Sequence, residues 1–182
     1  MEKVIIHEEA FVMMLTAAAE VYDKETYGYL LGHKKKKNYV IQYAVPHQTT
    51  IRKTHEVSTS TKAEKKLIDS INFLKGYNYI GEFHSHPDGT CALSNQDIKD
   101  MQQSGAGVSV LVALNTTETY LPWNYNIKTK SLTGSIDETY HVEIKAYICK
   151  HPSKKIDKLR IQCDFIKKLN KAVKRRFPSL FS

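Results

Sequence analysis

The sequence predicts an α/β domain in which helices pack against a mixed β-sheet. The first observation is the order of the periodic segments, which runs strand, helix, two strands, helix, strand, short helix and then mostly strands, as is typical of such domains. The second is size, because 182 residues with 41% hydrophobic side chains can bury a substantial core. The third is the low content of glycine and proline, 8 and 5 residues, which excludes collagenous and disordered chains.

The first four elements are predicted from hydrophobic periodicity and turn residues. Lys3–Ile6 is typical of a short strand, and residues 8–22 of a helix with one apolar face. Residues 28–32 and 39–45 are predicted to be two strands joined by a turn at residues 33–38. That turn contains four consecutive lysines and indicates a solvated hairpin tip, because lysine is rarely buried. The predicted buried face of the helix comprises Phe11, Met14, Leu15, Ala18 and Tyr22.

A second helix is predicted after a cluster of candidate N-cap residues at 58–61, ending at Gly76. Residues 77–86 follow as a strand, which the turn residues Pro-Asp-Gly at 87–89 terminate. The candidate N-caps are Ser58, Thr59, Ser60 and Thr61, and the apolar face of the helix comprises Ala63, Leu67, Ile71 and Leu74.

The remaining body of the chain is predicted to contain one short helix and several strands. The helix covers residues 94–103, and the nearly continuous apolar run at 108–114 is typical of a strand in the middle of a sheet. Residues 120–125 and 138–148 are further strand candidates, separated by a polar loop around residues 133–134. No internal repeat interrupts this order.

The positive charge of the chain is concentrated at its C-terminal end. Residues 150–182 contain 11 Lys or Arg and two Asp, a net charge of +9, so residues 1–149 sum to −1. We therefore predict a body of residues 1–149 and a basic helical extension of residues 150–182. This extension is suited to docking on the body, to an acidic partner, or to nucleic acid. Its apolar residues recur three or four apart, as in an amphipathic helix: Ile156, Leu159, Cys163, Ile166, Leu169 and Val173.

The cysteines and the apolar runs indicate a cytoplasmic protein. The three cysteines, Cys91, Cys149 and Cys163, are an odd number at spacings that suit neither a disulfide scaffold nor a four-cysteine zinc ribbon. No run approaches the roughly 20 apolar residues that a membrane span needs. The apolar stretch at residues 10–19 is flanked by glutamates, whereas a secretory signal has a basic leader.

The most informative segment for function is Ile-Gly-Glu-Phe-His-Ser-His-Pro at residues 80–87, followed by Ser-Asn-Gln-Asp at 94–97. Side chains alternate between the two faces of a strand, so His84 and His86 point the same way. After a sharp turn, Asp97 follows in the first turn of the predicted helix. Two imidazoles and a carboxylate leave a fourth position for water, which is the open coordination of a catalytic zinc site.

Structural explanations for the same residues stay open. Two histidines two positions apart occur by chance, and imidazole is a common hydrogen-bonding group. Ser94-x-x-Asp97 also matches a helix capping box with Asp in place of Glu. A cap and a metal ligand are compatible, because an ion needs only one oxygen of the Asp97 carboxylate.

At these residues the sequence resembles the JAMM, or MPN+, metalloprotease family. The family signature is an upstream glutamate, then His-x-His, ten residues and Asp, with Pro after the second His and Ser three residues before the Asp. Here residues 84–87 are His-Ser-His-Pro, the ten residues 87–96 lead to Asp97, and Ser94 occupies the expected place. Residues 25–32, Glu-Thr-Tyr-Gly-Tyr-Leu-Leu-Gly, resemble the family segment Glu-x-x-Gly-x-Leu-x-Gly. The resemblance implies a single MPN-like domain.

The resemblance also implies roles for individual residues. It implies that His84, His86 and Asp97 hold Zn2+, which lowers the pKa of a bound water towards about 7. It implies that Glu25 is the general base that takes the proton of this water and delivers it to the leaving amine. Ser94 is implied as the donor of a hydroxyl hydrogen to the developing oxyanion.

Two other residues compete for these roles. Glu82 shares a strand face with His84 and His86 and is the alternative general base, although three liganding groups in a row on one strand make awkward geometry. Cys91 lies between two ligands and is an alternative zinc ligand, but a loop thiol is more often not involved. The remaining histidines have no metal-binding spacing and are predicted to be surface or structural: His7, His33, His47, His55, His141 and His151.

The activity that the resemblance implies is that of a zinc-dependent isopeptidase or peptidase, which cleaves after the C-terminal glycine of a ubiquitin-like protein. The extended tail of the ubiquitin-like substrate, or of its conjugate, would add as a strand to an exposed sheet edge. Residues 88–93 and 115–123 are, by position, the candidates for the groove that receives this tail. A small-molecule amidase or a sulfur-carrier processing enzyme would use the same residues. Two alternatives come from other classes: a non-catalytic scaffold of the same fold, and a nucleic-acid-associated protein that uses the basic extension.

Overall fold

The computed structural model describes residues 2–47, 51–52, 57–58, 61–104 and 107–181. The helices are α1 (Glu8–Glu20), α2 (Thr61–Lys75), α3 (Asn95–Ser104) and α4 (Ile166–Arg176), followed by a 3-10 turn at Pro178–Phe181. The strands are β1 (Lys3–Ile6), β2 (Tyr27–Lys35), β3 (Asn38–Pro46), β4 (Ile51–Arg52), β5 (Val57–Ser58), β6 (Asn78–Pro87), β7 (Val108–Thr116), β8 (Asn124–Asn126), β9 (Ser131–Ile136), β10 (Tyr140–Lys150) and β11 (Lys155–Gln162).

The strands of the described residues form one nine-stranded sheet and the small hairpin β4–β5. The large sheet has the order β11-β1-β3-β2-β6-β7-β10-β9-β8, and β11 also pairs with β10. Because β11 pairs with both β1 and β10, seven of the strands form a closed ring of paired neighbours: β1, β3, β2, β6, β7, β10 and β11. Its β1–β3, β1–β11 and β6–β7 pairs are parallel and the others antiparallel, so the predicted mixed sheet packed by helices is confirmed.

Helix α1 supplies one side of the main core. It packs chiefly against β3 and also contacts β6 and β7, and four of the five residues of its predicted face are buried, with Tyr22 partly buried just beyond its end. The ring of Phe11 meets those of Trp123 and Phe165 edge-on, with centroids 4.8 and 5.1 Å away. The side chains of α1 thus join the sheet to the segments that follow β7.

The first hairpin and the second helix agree with the sequence predictions. Strands β2 and β3 run to the tip at Lys36 and Lys37, and the lysines of this tip are exposed. In α2, Ile71 is buried and Leu67 is partly buried. Of the candidate N-caps, residues 59–60 lie outside the described residues. Among the helices of the described residues, none is long and apolar enough to cross a membrane.

In the segment after β7, one prediction is wrong and another holds only in part. The polar loop predicted around Thr133 and Gly134 is strand β9, which pairs with both β8 and β10. A side chain at Gly134 would meet the Trp123 ring at 2.4 Å, so this glycine makes room for an indole and does not mark a turn. Of the strand predicted at residues 120–125, only the end forms a strand, β8. Before it, the Leu121 N–H donates to the Ser135 hydroxyl oxygen at 3.0 Å and not to a strand partner's carbonyl.

The amphipathic helix predicted within residues 150–182 begins later than expected. Residues 155–162 form β11, which pairs with β10 and β1 in the main sheet; α4 is the amphipathic, basic helix and begins at Ile166. In β11, Leu159 and Ile161 are buried while Lys158 and Arg160 are exposed, which is the two-residue period of a strand. The boundary predicted between the body and the extension, at residues 149 and 150, falls within the last residues of β10, in the hairpin that β10 forms with β11.

Candidate metal centre

Three potential metal ligands meet where the end of β6 faces the start of α3. His84 and His86 lie on β6, and Asp97 lies in the first turn of α3. Asp97 Oδ1 is 3.2 Å from His84 Nε2, and Asp97 Oδ2 is 3.6 Å from His86 Nε2. One ligand atom from each residue lies within 4.8 Å of the others, so the three residues are close enough to hold a metal ion.

The turn after β6 places α3 opposite the two histidines. Asp88 has a φ of +48°, and its backbone N–H donates to Leu114 O at 2.8 Å. Asn115 Nδ2 donates to Gly89 O at 3.0 Å, and the Tyr22 hydroxyl donates to the Asp88 carboxylate. The loop between β6 and α3 is therefore bonded both to the end of β7 and to Tyr22, just beyond the end of α1. Sequence reasoning missed these contacts, because no spacing rule relates residues so far apart in the chain.

His86 is oriented by a backbone carbonyl. Its Nδ1 lies 3.1 Å from Thr90 O, and because a carbonyl only accepts, Nδ1 is the protonated nitrogen of the neutral ring. The other ring nitrogen, Nε2, is then left with a lone pair on the side of Asp97. Metal-binding histidines are commonly oriented by this kind of contact.

His84 offers a buried nitrogen to the same point. Its Nε2 is enclosed and, although it is 3.2 Å from an Asp97 oxygen, forms no aligned hydrogen bond with any described residue. Burial by itself lowers the pKa of His84, but the adjacent Asp97 carboxylate, with smaller effects of the Glu82 and Glu25 charges, raises it above its usual value. A cation shared with the carboxylate would satisfy this nitrogen, so the donor set fits Zn2+, which two imidazoles and a carboxylate bind in catalytic sites.

Asp97 is held by the capping box that its sequence spacing predicts. Its Oδ2 accepts the backbone N–H of Ser94 at 2.7 Å, and the Ser94 hydroxyl oxygen accepts the backbone N–H of Asp97 at 3.1 Å. Burial alone would raise the pKa of this carboxyl, but His84 and the Ser94 contacts hold it well below its usual range. The carboxylate is therefore charged and has a fixed orientation.

Glu25 lies in the connection from α1 to β2, and the residue after it is tied to the ligand strand. Ser85 N–H donates to Thr26 O at 2.9 Å, and Thr26 N–H donates to the Ser85 hydroxyl oxygen at 2.8 Å. Gly28 lets β2 approach closely, since a Cβ there would lie 2.3 Å from the Phe83 ring. The structure thus places Glu25 near the histidines, where its charge affects the pKa of His84.

Glu82, the alternative base, lies two residues before His84 on the same strand. Its Oε2 accepts the Tyr27 hydroxyl at 3.0 Å, and burial raises the pKa of its carboxyl, although His84 and Tyr27 lower it in part. Glu82 is not part of the cluster of three ligands. The carboxylate is therefore already engaged by a phenol.

Cys91 points away from the cluster and into a small second core. Its Sγ lies 3.1 Å from Leu111 O and 2.9 Å from Glu143 O, and burial raises the pKa of the thiol to about 12. Zinc binds the thiolate, not the thiol. Of the other histidines, His47 is buried with its ring edge-on to Tyr29, and His55 lies outside the described residues.

Comparisons with known proteins agree with this fold. A profile of the family described as prokaryotic homologs of the JAB domain matches residues 7–125, which include all the candidate site residues. The solution structure of protein DSY2949 from Desulfitobacterium hafniense is similar, with a TM-score of 0.57 and 14% sequence identity over 88% of this chain and 92% of that chain. At this identity the likeness concerns the fold alone. No curated protein matches the chain significantly.

Proposed function

This chain belongs to the family of prokaryotic homologs of the JAB domain, and we propose that it is a zinc-dependent isopeptidase or peptidase. The observation that carries the proposal is the cluster of His84, His86 and Asp97, in which a buried imidazole nitrogen faces a carboxylate without an aligned hydrogen bond. Two imidazoles and one carboxylate leave a fourth coordination position open, as catalytic zinc sites require. Zinc bound there supplies a Lewis acid that polarises a carbonyl and makes water more acidic.

Glu25 is the proposed general base. It immediately precedes Thr26, whose backbone is bonded to Ser85 between the two histidines, so the backbone that carries Glu25 is held beside the ligand strand. In this position it takes a proton from the attacking water and gives it to the leaving amine. Glu82 is less suited to this role, because its carboxylate is bonded to Tyr27.

Ser94 is the proposed oxyanion donor. Its oxygen accepts the Asp97 N–H, which orients the hydroxyl while leaving its own hydrogen available to donate. The residue is exposed, so a substrate carbonyl has access to it. An oxyanion donor of this kind typically contributes about 3 kcal/mol to transition-state stabilisation.

The proposed substrate is the C-terminal glycine of a ubiquitin-like protein, joined to a lysine or to a small amine. An extended glycine-containing tail has little side-chain volume and can add as a strand beside the ligand loop. Residues 88–93 and 115–123, which the Asn115–Gly89 contact joins, are the proposed borders of this groove. Family membership and the open side of the cluster support this assignment.

The first experiment measures zinc in the purified protein and in a His84→Ala, His86→Ala double variant. The expected result is about one zinc per chain, the stoichiometry of a single three-ligand site, which the double variant loses. A matched control is the His33→Ala, His151→Ala double variant, because both residues are exposed and outside the cluster; its zinc content should equal that of the wild type. Zinc-free protein that cannot be reconstituted would overturn the metal site.

The second experiment tests cleavage. Zinc-loaded protein is incubated with fusions of ubiquitin-like proteins to a C-terminal amine reporter, and Glu25→Gln serves as a variant that keeps the ligands. Release that depends on both zinc and Glu25 supports the peptidase. A protein that binds zinc stoichiometrically but releases no amine from any fusion would instead support the non-catalytic scaffold.

A further inference from the structure

Helix α4 is fixed to the body by its apolar face and by one polar pair. Ile166 is buried, and Leu169 is partly buried and packs against the main core. Asn170 Oδ1 accepts the backbone N–H of Trp123 at 3.0 Å, and Asn170 Nδ2 donates to the backbone carbonyl oxygen of Trp123 at 2.8 Å. These two bonds, together with the apolar contacts, fix which face of α4 is turned to solvent.

The face turned to solvent is a stripe of cations. At 3.6 residues per turn, five cations of α4 fall within an arc of about 120°, and all are exposed. Helix α4 contains no acidic residue. None of its cations lies within ion-pair distance of a carboxylate among the described residues. The stripe comprises Lys167, Lys168, Lys171, Lys174 and Arg175.

The acidic residues nearest in sequence are engaged elsewhere. Asp157 pairs with Lys150 at 2.6 Å and with Lys155 at 3.5 Å, and Asp164 accepts a hydrogen bond from Gln162 at 2.8 Å. No carboxylate of the described residues forms an ion pair with the stripe, so within the described part of the chain its charge is not compensated by direct pairing. An exposed, uncompensated row of like charges favours an anionic partner.

We propose that the stripe binds the phosphate backbone of nucleic acid without reading its sequence. The stripe extends about 12 Å along the helix, from Lys167 to Arg175, at 1.5 Å per residue, and a duplex presents about seven phosphates over that length, at one charge per roughly 1.7 Å with both strands counted, enough for all five cations. Four of its five cations are lysines, which bind phosphate as point charges. A row of point charges along one helix face suits the regularly spaced phosphates of a duplex, whose binding needs no side-chain-specific recognition.

Two features of α4 argue against other modes of binding. Its apolar face packs against the body around Trp123 and Ile166, so it is not available to insert into a lipid surface as an interfacial helix would. The stripe contains no aromatic, Asn or Gln side chain, the groups that stack on bases or read their edges. Contacts to phosphate alone remain, and they carry no sequence information. This inference is independent of the proposed peptidase, because it uses neither the metal cluster nor Glu25.

The test measures binding of the full chain to a fluorescently labelled 20-base-pair duplex of arbitrary sequence by anisotropy, between 50 and 200 mM salt. With five phosphate contacts, the wild-type affinity should fall roughly 500-fold over this range. A Lys167→Gln, Lys171→Gln, Lys174→Gln variant keeps two of the five cations, and its affinity should fall only roughly 12-fold. A second duplex of unrelated sequence should bind equally.

The matched control is a Lys35→Gln, Lys36→Gln, Lys37→Gln variant, which loses the same charge from the exposed tip of the β2–β3 hairpin. It should keep the wild-type salt dependence, and thermal unfolding of each variant confirms that it is folded. The proposal is overturned if the α4 variant and the control behave alike, or if the wild type does not bind duplex at 50 mM salt. Binding to vesicles that contain phosphatidylserine, or to polyglutamate, in preference to duplex would also overturn it.

Discussion

Replacing Ser85 with alanine should destabilise the protein and reduce the proposed activity while leaving the three metal ligands in place. The change removes the oxygen that accepts the Thr26 N–H at 2.8 Å. Thr26 is 0% exposed and Ser85 2%, so water cannot easily replace the lost acceptor. A buried donor left without a partner costs about 1–3 kcal/mol. At about 2–4 °C per kcal/mol for a chain of this size, the melting temperature should fall by roughly 2–12 °C.

Ser109→Ala is the matched control for this variant. Ser109 is also 2% exposed and lies on β7, the strand next to β6, but its hydroxyl has no hydrogen-bond partner among the described residues. Removing an unpaired buried hydroxyl abolishes no hydrogen bond, so this variant should be as stable as the wild type or more stable. The difference between the two alanine variants then isolates the Thr26–Ser85 bond from the loss of one oxygen atom.

Thermal unfolding of the zinc-loaded proteins, zinc content and reporter cleavage are the three measurements. Ser85→Ala should keep about one zinc per chain and lose turnover, since the segment that carries Glu25 is less firmly held. Equal melting temperatures for Ser85→Ala and Ser109→Ala would refute the reasoning about the buried donor. A loss of zinc equal to that of the double histidine variant would show that Ser85 acts on the ligands and not on Glu25.

Three further changes test other parts of the structure. Asp97→Asn keeps a side-chain oxygen for the Ser94 N–H but loses the charge, so it should weaken zinc affinity at least tenfold with α3 intact by circular dichroism; unchanged affinity would contradict the ligand assignment. With a pKa of about 12, Cys91 should resist alkylation at pH 8 in the folded protein, because only about one thiol in 10,000 is ionised, and mass mapping that finds it modified first would count against its burial. Asn170→Ala removes both bonds to Trp123, so the emission of this single tryptophan should shift to the red as α4 loosens; an unshifted spectrum would mean that apolar packing alone holds the helix.

The elements predicted correctly are those whose pattern is local and strong. The apolar run of β7 is buried along its whole predicted length, because the main core covers one face of the strand, with Val110 and Val112, and the second core around Cys91 and Met101 covers the other, with Leu111. In the same way, hydrophobic periodicity predicts the buried face of α1, and the run of four lysines predicts the exposed tip of the β2–β3 hairpin. The candidate site was also accessible to sequence reasoning, since strand alternation places His84 and His86 together and the capping box places Asp97 in the first turn of α3.

The errors arise where tertiary contacts decide the local structure. Gly134 indicates a turn on sequence alone, but in the fold it accommodates the Trp123 ring, which no local rule reveals. In residues 155–162, a helical spacing through Ile156 and Leu159 competes with the alternation of Leu159 and Ile161, and pairing with β1 and β10 selects the strand. The contact of Tyr27 with Glu82 is of the same kind, because it depends on how β2 and β6 are aligned.

Asp97 shows why the structural and the functional interpretations of one motif are not alternatives. Its Oδ2 completes the capping box with the Ser94 N–H at 2.7 Å, while its Oδ1 lies 3.2 Å from His84 Nε2. The cap fixes the rotamer of the carboxylate and places it at the positive end of α3, where negative charge is stabilised. A ligand fixed in this way loses little further side-chain entropy when an ion binds, since the cap has already restricted its rotamers. The capping box that starts the helix therefore also prepares Asp97 to hold a metal ion.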